Sequence, residues 1–471
     1  MQAIKESYLY HIWSLLRAFF ARQWDQSRAV QWLTGQKPRS RGLTDRVGAS
    51  LRRGLSRGCG KLRLDRALQG SIFLHPLLFA GTAVVLAPLL PTMAIFGLVC
   101  ASFFSLVLKL GVDREFQIQR SPLGGYVALF AAVYLYATLT SVSLAGSLFP
   151  GLLTMAFVLF FFAVASSIPD RGKLGLVLWA MLGVGVLVAL YGFYQALFPE
   201  RFRSVWTDTD MFSSITFRVY STLENPNVLG EYFLLIIPLG GAMVLTGDSW
   251  PKRIAALAAC GIMGVCLILT YSRGCYLGLL FAAAVFLVLL DRRFLVLGII
   301  VLALSPLYLP ESVLSRFTSI GDMGDTSTSY RVYIWMGTLA MLKHYWFCGV
   351  GPGMDAFNKV YPEYAYNAVT APHAHNLFLQ ITCDTGVCGI GVFLILLVAF
   401  YRMMFTAIRR EGDRTMKIFQ IAGTSAVTGF LVQSMTDYTF YNYRVLLLFW
   451  ALLGLCVVFT RLGREKEAAH D

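Results

Sequence analysis

The chain has 471 residues, 57% of them hydrophobic and only 14% charged, with a formal net charge of +14 at pH 7. That balance excludes a soluble multidomain protein and points to an integral membrane protein before any motif is considered. The apolar residues come in blocks near the roughly 20 that a helix needs to cross about 30 Å of hydrocarbon. An all-α, polytopic membrane fold is therefore expected.

Residues 1–71 read as a basic cytoplasmic extension, in which Arg17, Arg22, Arg28, Lys37, Arg52, Arg53 and Arg66 stand among few acids. A basic arm beside a first span is retained by anionic lipid headgroups, so membrane lipids are expected as partners and nucleic acid is not. Trp13, Leu16, Phe20 and Trp24 recur at helical spacing, so 8–33 either lies along the membrane surface or is disordered. The opening lacks an apolar core with a small-residue cleavage site, so no signal peptide is expected.

Residues 72–460 read as one transmembrane domain of about twelve spans. The approximate blocks are 72–90, 92–110, 123–142, 149–167, 174–197, 226–246, 252–271, 274–290, 294–309, 374–401, 416–436 and 444–460. The first pair is separated only by Pro88 and Pro91, and the seventh and eighth only by Ser272-Arg273; both pairs are read as hairpins because charge placement then works. With the N-terminus inside, Arg114 and Arg120, Arg171 and Lys173, Lys252 and Arg253, Arg292 and Arg293, the cluster from Arg402 to Lys417, and the tail residues Arg461, Arg464 and Lys466 all fall on the inner side. Both termini, including the tail 461–471, are thus expected in the cytoplasm, with the chain in a plasma membrane.

The cysteines give neither a disulfide framework nor metal-type spacing. Two outer segments are long, 198–225 and 310–373, and long loops in a compact helical protein either carry function or are disordered. Across 330–346 the residues Val332, Trp335, Met336, Leu339, Leu342 and Trp346 follow helical spacing, which predicts an amphipathic helix at the bilayer rim. Gly349-Val350-Gly351-Pro352-Gly353 then breaks it; without a preceding strand or a following Lys-Ser/Thr it reads as a turn, not a nucleotide loop.

Arginines that topology does not demand lie on the outer face: Arg201, Arg203, Arg218, Arg273, Arg316 and Arg331. Arg273 sits in Leu269-Thr270-Tyr271-Ser272-Arg273-Gly274 at a hairpin tip, where a guanidinium either snorkels to lipid phosphate or holds a substrate phosphate. Arg218 precedes Asn225-Pro226-Asn227, where Asn227 is read as a helix cap and the outward helix end as a plausible anion site. His373-Ala374-His375-Asn376-Leu377 marks the junction of the long loop with the tenth span. His375 is either a hydrogen-bonded surface residue or a base suited to take a proton from a hydroxyl; Asp437, ending the eleventh span on the same side, either balances it or caps the outer segment. The His373/His375 spacing is a weak metal signal, and no metal or other cofactor is expected.

Arg218 with Asn225-Pro226-Asn227, then Tyr271-Ser272-Arg273-Gly274, then the long outer loop, then His375-Asn376-Leu377-Phe378-Leu379-Gln380 with Gly386 and Gly389, resembles the O-antigen ligase family. Each motif is short; their order and shared sidedness carry the resemblance. It implies a metal-independent, inverting glycosyltransferase of cell-surface polysaccharide, or lipopolysaccharide, biosynthesis in the bacterial inner membrane. The donor would be an undecaprenyl diphosphate-linked glycan, and the acceptor a hydroxyl on a glycan, lipid or protein. Read so, His375 is the catalytic base and Arg218 and Arg273 hold the donor diphosphate. Arg331, Asp437, Asn225, Asn227 and Asn376 are possible supports. The family also includes polymerases, so ligase and polymerase both remain open, and a transporter of a bicarbonate-like anion is the alternative from another class. The basic extension has no counterpart in the family pattern.

Overall fold

The computed structural model describes residues 53–56, 71–113, 115–203, 217–291, 293–304, 307, 314 and 326–468. The expected surface helix at 8–33, most of the basic extension, and Arg316 lie outside them. Among the described residues all regular structure is helical. The principal helices are α1 (Pro76–Leu86), α2 (Thr92–Val112), α3 (Gly124–Leu139), α4 (Leu144–Ser167), α5 (Arg171–Leu197), α6 (Pro226–Thr246) and α7 (Trp250–Ile268). They continue as α8 (Arg273–Asp291), α9 (Arg293–Leu304), α10 (Thr326–Tyr345), α11 (Met354–Val360), α12 (Leu377–Arg410), α13 (Arg414–Ser434) and α14 (Tyr443–Ala468).

Local chemistry sets the helix starts. Asp170, Asn225, Asn376 and Asp413 each place a side-chain oxygen on a first-turn N–H of α5, α6, α12 and α13, while Pro76 and Pro226 occupy first helical positions where no N–H is needed. Apolar residues run round most of each helix, as a lipid surroundings permits. Within an apolar stretch of 18 residues, 94% of the residues of α14 are buried against 22% of those of α8, so α14 is the axis of the bundle and α8 lies at its edge.

A helix stands in each of the twelve apolar blocks, but eight are long and apolar enough to cross a membrane: α2, α4, α5, α6, α7, α8, α12 and α14. α1 and α3 are apolar but span 11 and 16 residues, and 12 residues are described for α9. α13 has the length, 21 residues, yet carries Gln420, Thr424, Ser425, Gln433 and Ser434. Those groups are buried against neighbouring helices, not lipid, and most are satisfied within the protein: Thr424, Ser425 and Ser434 bond carbonyls one turn back.

The seventh and eighth blocks are two helices, joined by a turn in which Tyr271 is left-handed (φ 50°). The pair is splayed: α7 packs chiefly on α5 and α6, and α8 chiefly on α13. The turn therefore crosses the end of α6. The α8–α13 contact is backbone on backbone, since a Cβ on Gly278 would lie 2.7 Å from Gly429 O and one on Gly429 2.5 Å from Gly278 O. Small residues at such a crossing are what close helix packing in a membrane requires.

The amphipathic helix expected at 330–346 is present as α10, but its buried stripe is Ile334, Gly337, Thr338, Met341 and Leu342. Of the residues singled out by spacing, Met336, Leu339 and Trp346 are exposed. Gly337 lets Tyr361 and the carbonyl of Tyr364 approach too closely for a side chain, and a seat made by small residues is invisible to a hydrophobic pattern. The glycine run that follows is a turn with positive φ at Gly349, Gly351 and Gly353. It feeds into a break in α12, where Gly386 has φ 66° and ψ −165°. Val350 N donates to Cys383 O (2.6 Å) and Val387 N to Trp346 O (2.8 Å), so the inserted segment satisfies backbone groups that the break frees.

Candidate active site at one end of the bundle

Three of the segments expected inside, the α4–α5 and α12–α13 connections and the end of α14, meet at one end. Arg171 pairs with Asp413 at 3.0 Å and donates to Leu462 O, and Arg461 donates to Ile168 O. At the other end, four segments converge: 217–227 before α6, the α7–α8 turn, the start of α12, and the α13–α14 connection.

Asp437 is their meeting point, at 8% exposure. Its Oδ1 lies 3.2 Å from His375 Nδ1 and accepts from Tyr438 N (2.9 Å), and its Oδ2 accepts from Asn227 Nδ2 (2.8 Å). Asn227 Oδ1 in turn accepts from Arg218 Nη2 (3.1 Å), and Arg218 Nε donates to Thr270 O (2.8 Å). One hydrogen-bonded chain thus joins His375, Asp437, Asn227, Arg218 and the α7–α8 turn. Asn225, not Asn227, caps α6, its Oδ1 accepting from Asn227 N (2.8 Å). The sequence reading assigns the cap to Asn227; the structure moves it to Asn225 and leaves the Asn227 amide to bridge arginine and carboxylate.

A carboxylate can only accept, so Asp437 fixes the proton of His375 on Nδ1 and leaves Nε2 as the basic nitrogen. Burial pushes the Asp437 carboxyl up, but the His375 hydrogen bond and charge, with the Arg331 guanidinium and His373, outweigh it and hold the group well below the usual carboxylate range. His375 is left-handed (φ 45°), a conformation that costs a non-glycine residue about 1–2 kcal/mol. The surroundings over-determine it: His375 N donates to His373 Nδ1 (3.3 Å), Trp335 Nε1 to His375 O (3.3 Å), and Ala374 N to Gln380 Oε1 (2.7 Å). Asn376 caps α12 through Leu379 N (3.0 Å) and ties it to the next connection by donating to Met435 O (2.7 Å).

Arg273 opens α8, and the adjacent Gly274 abuts Gln433 and Thr436 at the end of α13, within a few residues of Asp437. Arg331, on α10, donates to Ser327 O at 3.2 Å and to Ser327 Oγ, and acts on Asp437 and on His373 through its charge. Arg201, by contrast, is engaged locally, donating to Tyr194 OH (2.7 Å) and lying 4.7 Å from the Phe198 ring centroid. His373 is buried among Tyr438, Tyr441 and His375; burial, then the neighbouring His375, push it down to about 3.

His373, His375 and Asp437 present ligand atoms within 4.8 Å of one another, a spacing that suits a shared metal ion. Their facing atoms already satisfy each other, however: His375 Nδ1 pairs with Asp437, and His373 Nδ1 accepts the His375 N–H.

Three features escape the sequence reading. Arg444, at the start of α14, donates to Thr222 O (2.7 Å) and approaches Glu224 at 3.7 Å, adding an arginine to this end. Glu231 lies one turn below Asn227 on α6 and accepts from Gln433 Nε2 (3.2 Å), while Glu231 Oε2 and Gln433 Oε1 are buried with no partner among the described residues. Asp384 is buried in α12. A lone acid inside an apolar block is the signal that would have marked Glu231 and Asp384.

Residues 258–394 match the model of the family described as O-antigen ligase. The matched stretch contains Arg273, Arg331, His375 and Asn376, and supports membership of the chain in that family. A search of curated proteins finds no match. The match supports membrane glycan processing of the O-antigen ligase or polymerase type.

Proposed function

We propose that this chain, as an O-antigen ligase family protein, transfers a glycan from an undecaprenyl diphosphate carrier to an acceptor hydroxyl at the outer face of the plasma membrane. The observation that carries the reading is the chain from His375 through Asp437 and Asn227 to Arg218, which couples a basic nitrogen to a cation at one end of a helical bundle. His375 Nε2 takes the proton from the acceptor hydroxyl as its oxygen attacks the anomeric carbon. The bond from that carbon to the diphosphate oxygen breaks on the opposite face, so configuration inverts. Asp437 stabilises the imidazolium that forms.

The leaving diphosphate gains negative charge as the bond breaks, and arginines stabilise that charge more in the transition state than in the ground state. Arg218, anchored to Thr270 O and Asn227, and Arg273, at the positive end of α8, are assigned to it. Arg331, Asn225 and Asn376 support the site without contacting the reacting atoms. These steps need no metal, so transfer should persist undiminished after exhaustive chelation. A ligase and a polymerase would share this chemistry and differ in the acceptor.

Purified protein in lipid vesicles, given a labelled polyprenyl diphosphate glycan, tests the assignment of the arginines. Arg218→Ala and Arg273→Ala should lower kcat/KM by about 100-fold or more, the scale of losing a charged transition-state contact. Unchanged turnover by both variants contradicts it. An anion flux across sealed vesicles that needs no lipid-linked donor would favour transport instead.

A further inference from the structure

Asp384 stands seven residues beyond Leu377, about 10 Å along α12, and is 1% exposed. An ionisable group at that depth in an apolar span requires a purpose. Its two oxygens are both used: Oδ1 accepts from Gln380 Nε2 (2.8 Å) and Oδ2 from Tyr134 OH (3.3 Å). Gln380, itself 3% exposed, turns its Oε1 toward Ala374 N (2.7 Å). Ala374 is fully buried between His373 and His375, so its N–H has no route to water.

The orientation of the Gln380 amide is forced. Ala374 N–H needs an acceptor, so Oε1 faces it; Nε2 then faces α12 and needs an acceptor, which only an oxygen at Asp384 supplies. The link runs from a carboxyl within the span to the backbone of the turn that carries His375 in its left-handed conformation. Neither group touches the reacting atoms.

We propose that Gln380 and Asp384 are positioning residues that hold the His373-Ala374-His375 turn and thereby aim His375 at the acceptor hydroxyl. The proposal rests on the glycosyl-transfer reading for its consequence, though not for its geometry. It makes a discriminating statement about chemistry: hydrogen-bond polarity at 384 matters and charge does not. In Asp384→Asn the new amide oxygen accepts from Gln380 and its nitrogen donates to the Tyr134 oxygen, so the relay survives. Asp384→Leu breaks it, as does Gln380→Met, which keeps the volume. Gln380→Glu accepts from Ala374 but sets two carboxyls face to face, and they pair only while sharing a proton.

Two readouts test this in intact protein in detergent or vesicles. The first is the rate of His375 carbethoxylation by diethyl pyrocarbonate, followed by mass spectrometry with the exposed His75 and His344 as internal references. Gln380→Met and Asp384→Leu should change the His375 rate several-fold against the references, with Asp384→Asn close to the native chain. The second is kinetic. The same two variants should lose about 10- to 100-fold in kcat at nearly constant KM, the range seen when a supporting partner behind a reactive group is removed. Gln380→Glu should show a kcat that falls as pH rises through the range where the native profile is flat.

Unchanged His375 reactivity and unchanged kcat in Gln380→Met and Asp384→Leu overturn the proposal, as does an Asp384→Asn variant as impaired as Asp384→Leu. Should the apolar variants fail to insert, Asp384→Asn and Gln380→Glu carry the test, through retained activity and the altered pH profile. Reactivity that shifts as described in a chain that transfers no glycan upholds the positioning and contradicts the function.

Discussion

Asp437 gathers more of this site than any other side chain, because its two oxygens serve a histidine and an asparagine from helices far apart in sequence. Asn227→Asp replaces a donor to that carboxylate with another carboxylate, and the like charge opposes the pairing. We predict a loss of about 10- to 100-fold in transfer, corresponding to a broken hydrogen bond to a charged group, with normal membrane insertion; activity within twofold of native would contradict the bridging role. His373 makes a pH prediction. Its folded pKa of about 3 lies below the ordinary 6.5, so between those values the unfolded chain binds the extra proton. Its contribution to stability is therefore complete above about pH 6.5 and is lost as pH falls toward 3. Asp437, also depressed, adds to the loss only at lower pH. The thermal stability of the native chain should fall from about pH 7 to pH 4, and His373→Phe should flatten that slope. At this scale His375, Asp437 and Arg218 were legible, since polar groups at the edge of apolar blocks stand out. Gln380 carried no such mark, and the mark at Asp384, a lone acid inside an apolar block, is diluted by averaging over the span.

Among the elements, α8 and α13 meet with the least tolerance for change. Gly278→Val or Gly429→Val forces the helices apart at a backbone contact, and overpacking of this kind typically costs about 1–3 kcal/mol. Both variants should unfold at lower temperature in detergent. Because α8 carries Arg273 and α13 leads to Asp437, transfer should fall as well; native thermal stability for both would show that the crossing is looser than drawn. The helix α10 was legible from spacing over 330–346, whereas its buried stripe was not, since Gly337 forms the seat for Tyr361 and Tyr364. The break in α12 was likewise hidden. Gly386 reads as an ordinary glycine in a span until Trp346 O and Val350 N are seen pairing across it. Tertiary backbone pairing leaves little trace in a local pattern.

Across the whole molecule, the packing gathers charged side chains at two ends. Arg171, Asp413 and Arg461 tie together connections expected inside, while Arg218, His375, Asp437 and Arg444 collect at the other end. The all-helical membrane fold was legible from composition. The span count was less so: α13 is polar because it is surrounded by protein, and α1 and α3 are short, so length and hydropathy alone mark eight helices where apolar blocks suggested about twelve. On the reading proposed above, one end of this bundle carries a general base, His375, that takes the proton of the acceptor hydroxyl. The most direct measurement compares purified native protein with His375→Ala for release of polyprenyl diphosphate from a labelled glycan donor when an acceptor is supplied. Acceptor-dependent release by the native chain is expected, with a loss of at least about 100-fold in a variant that inserts and melts like it. Equal release by both would rule out His375 as the general base.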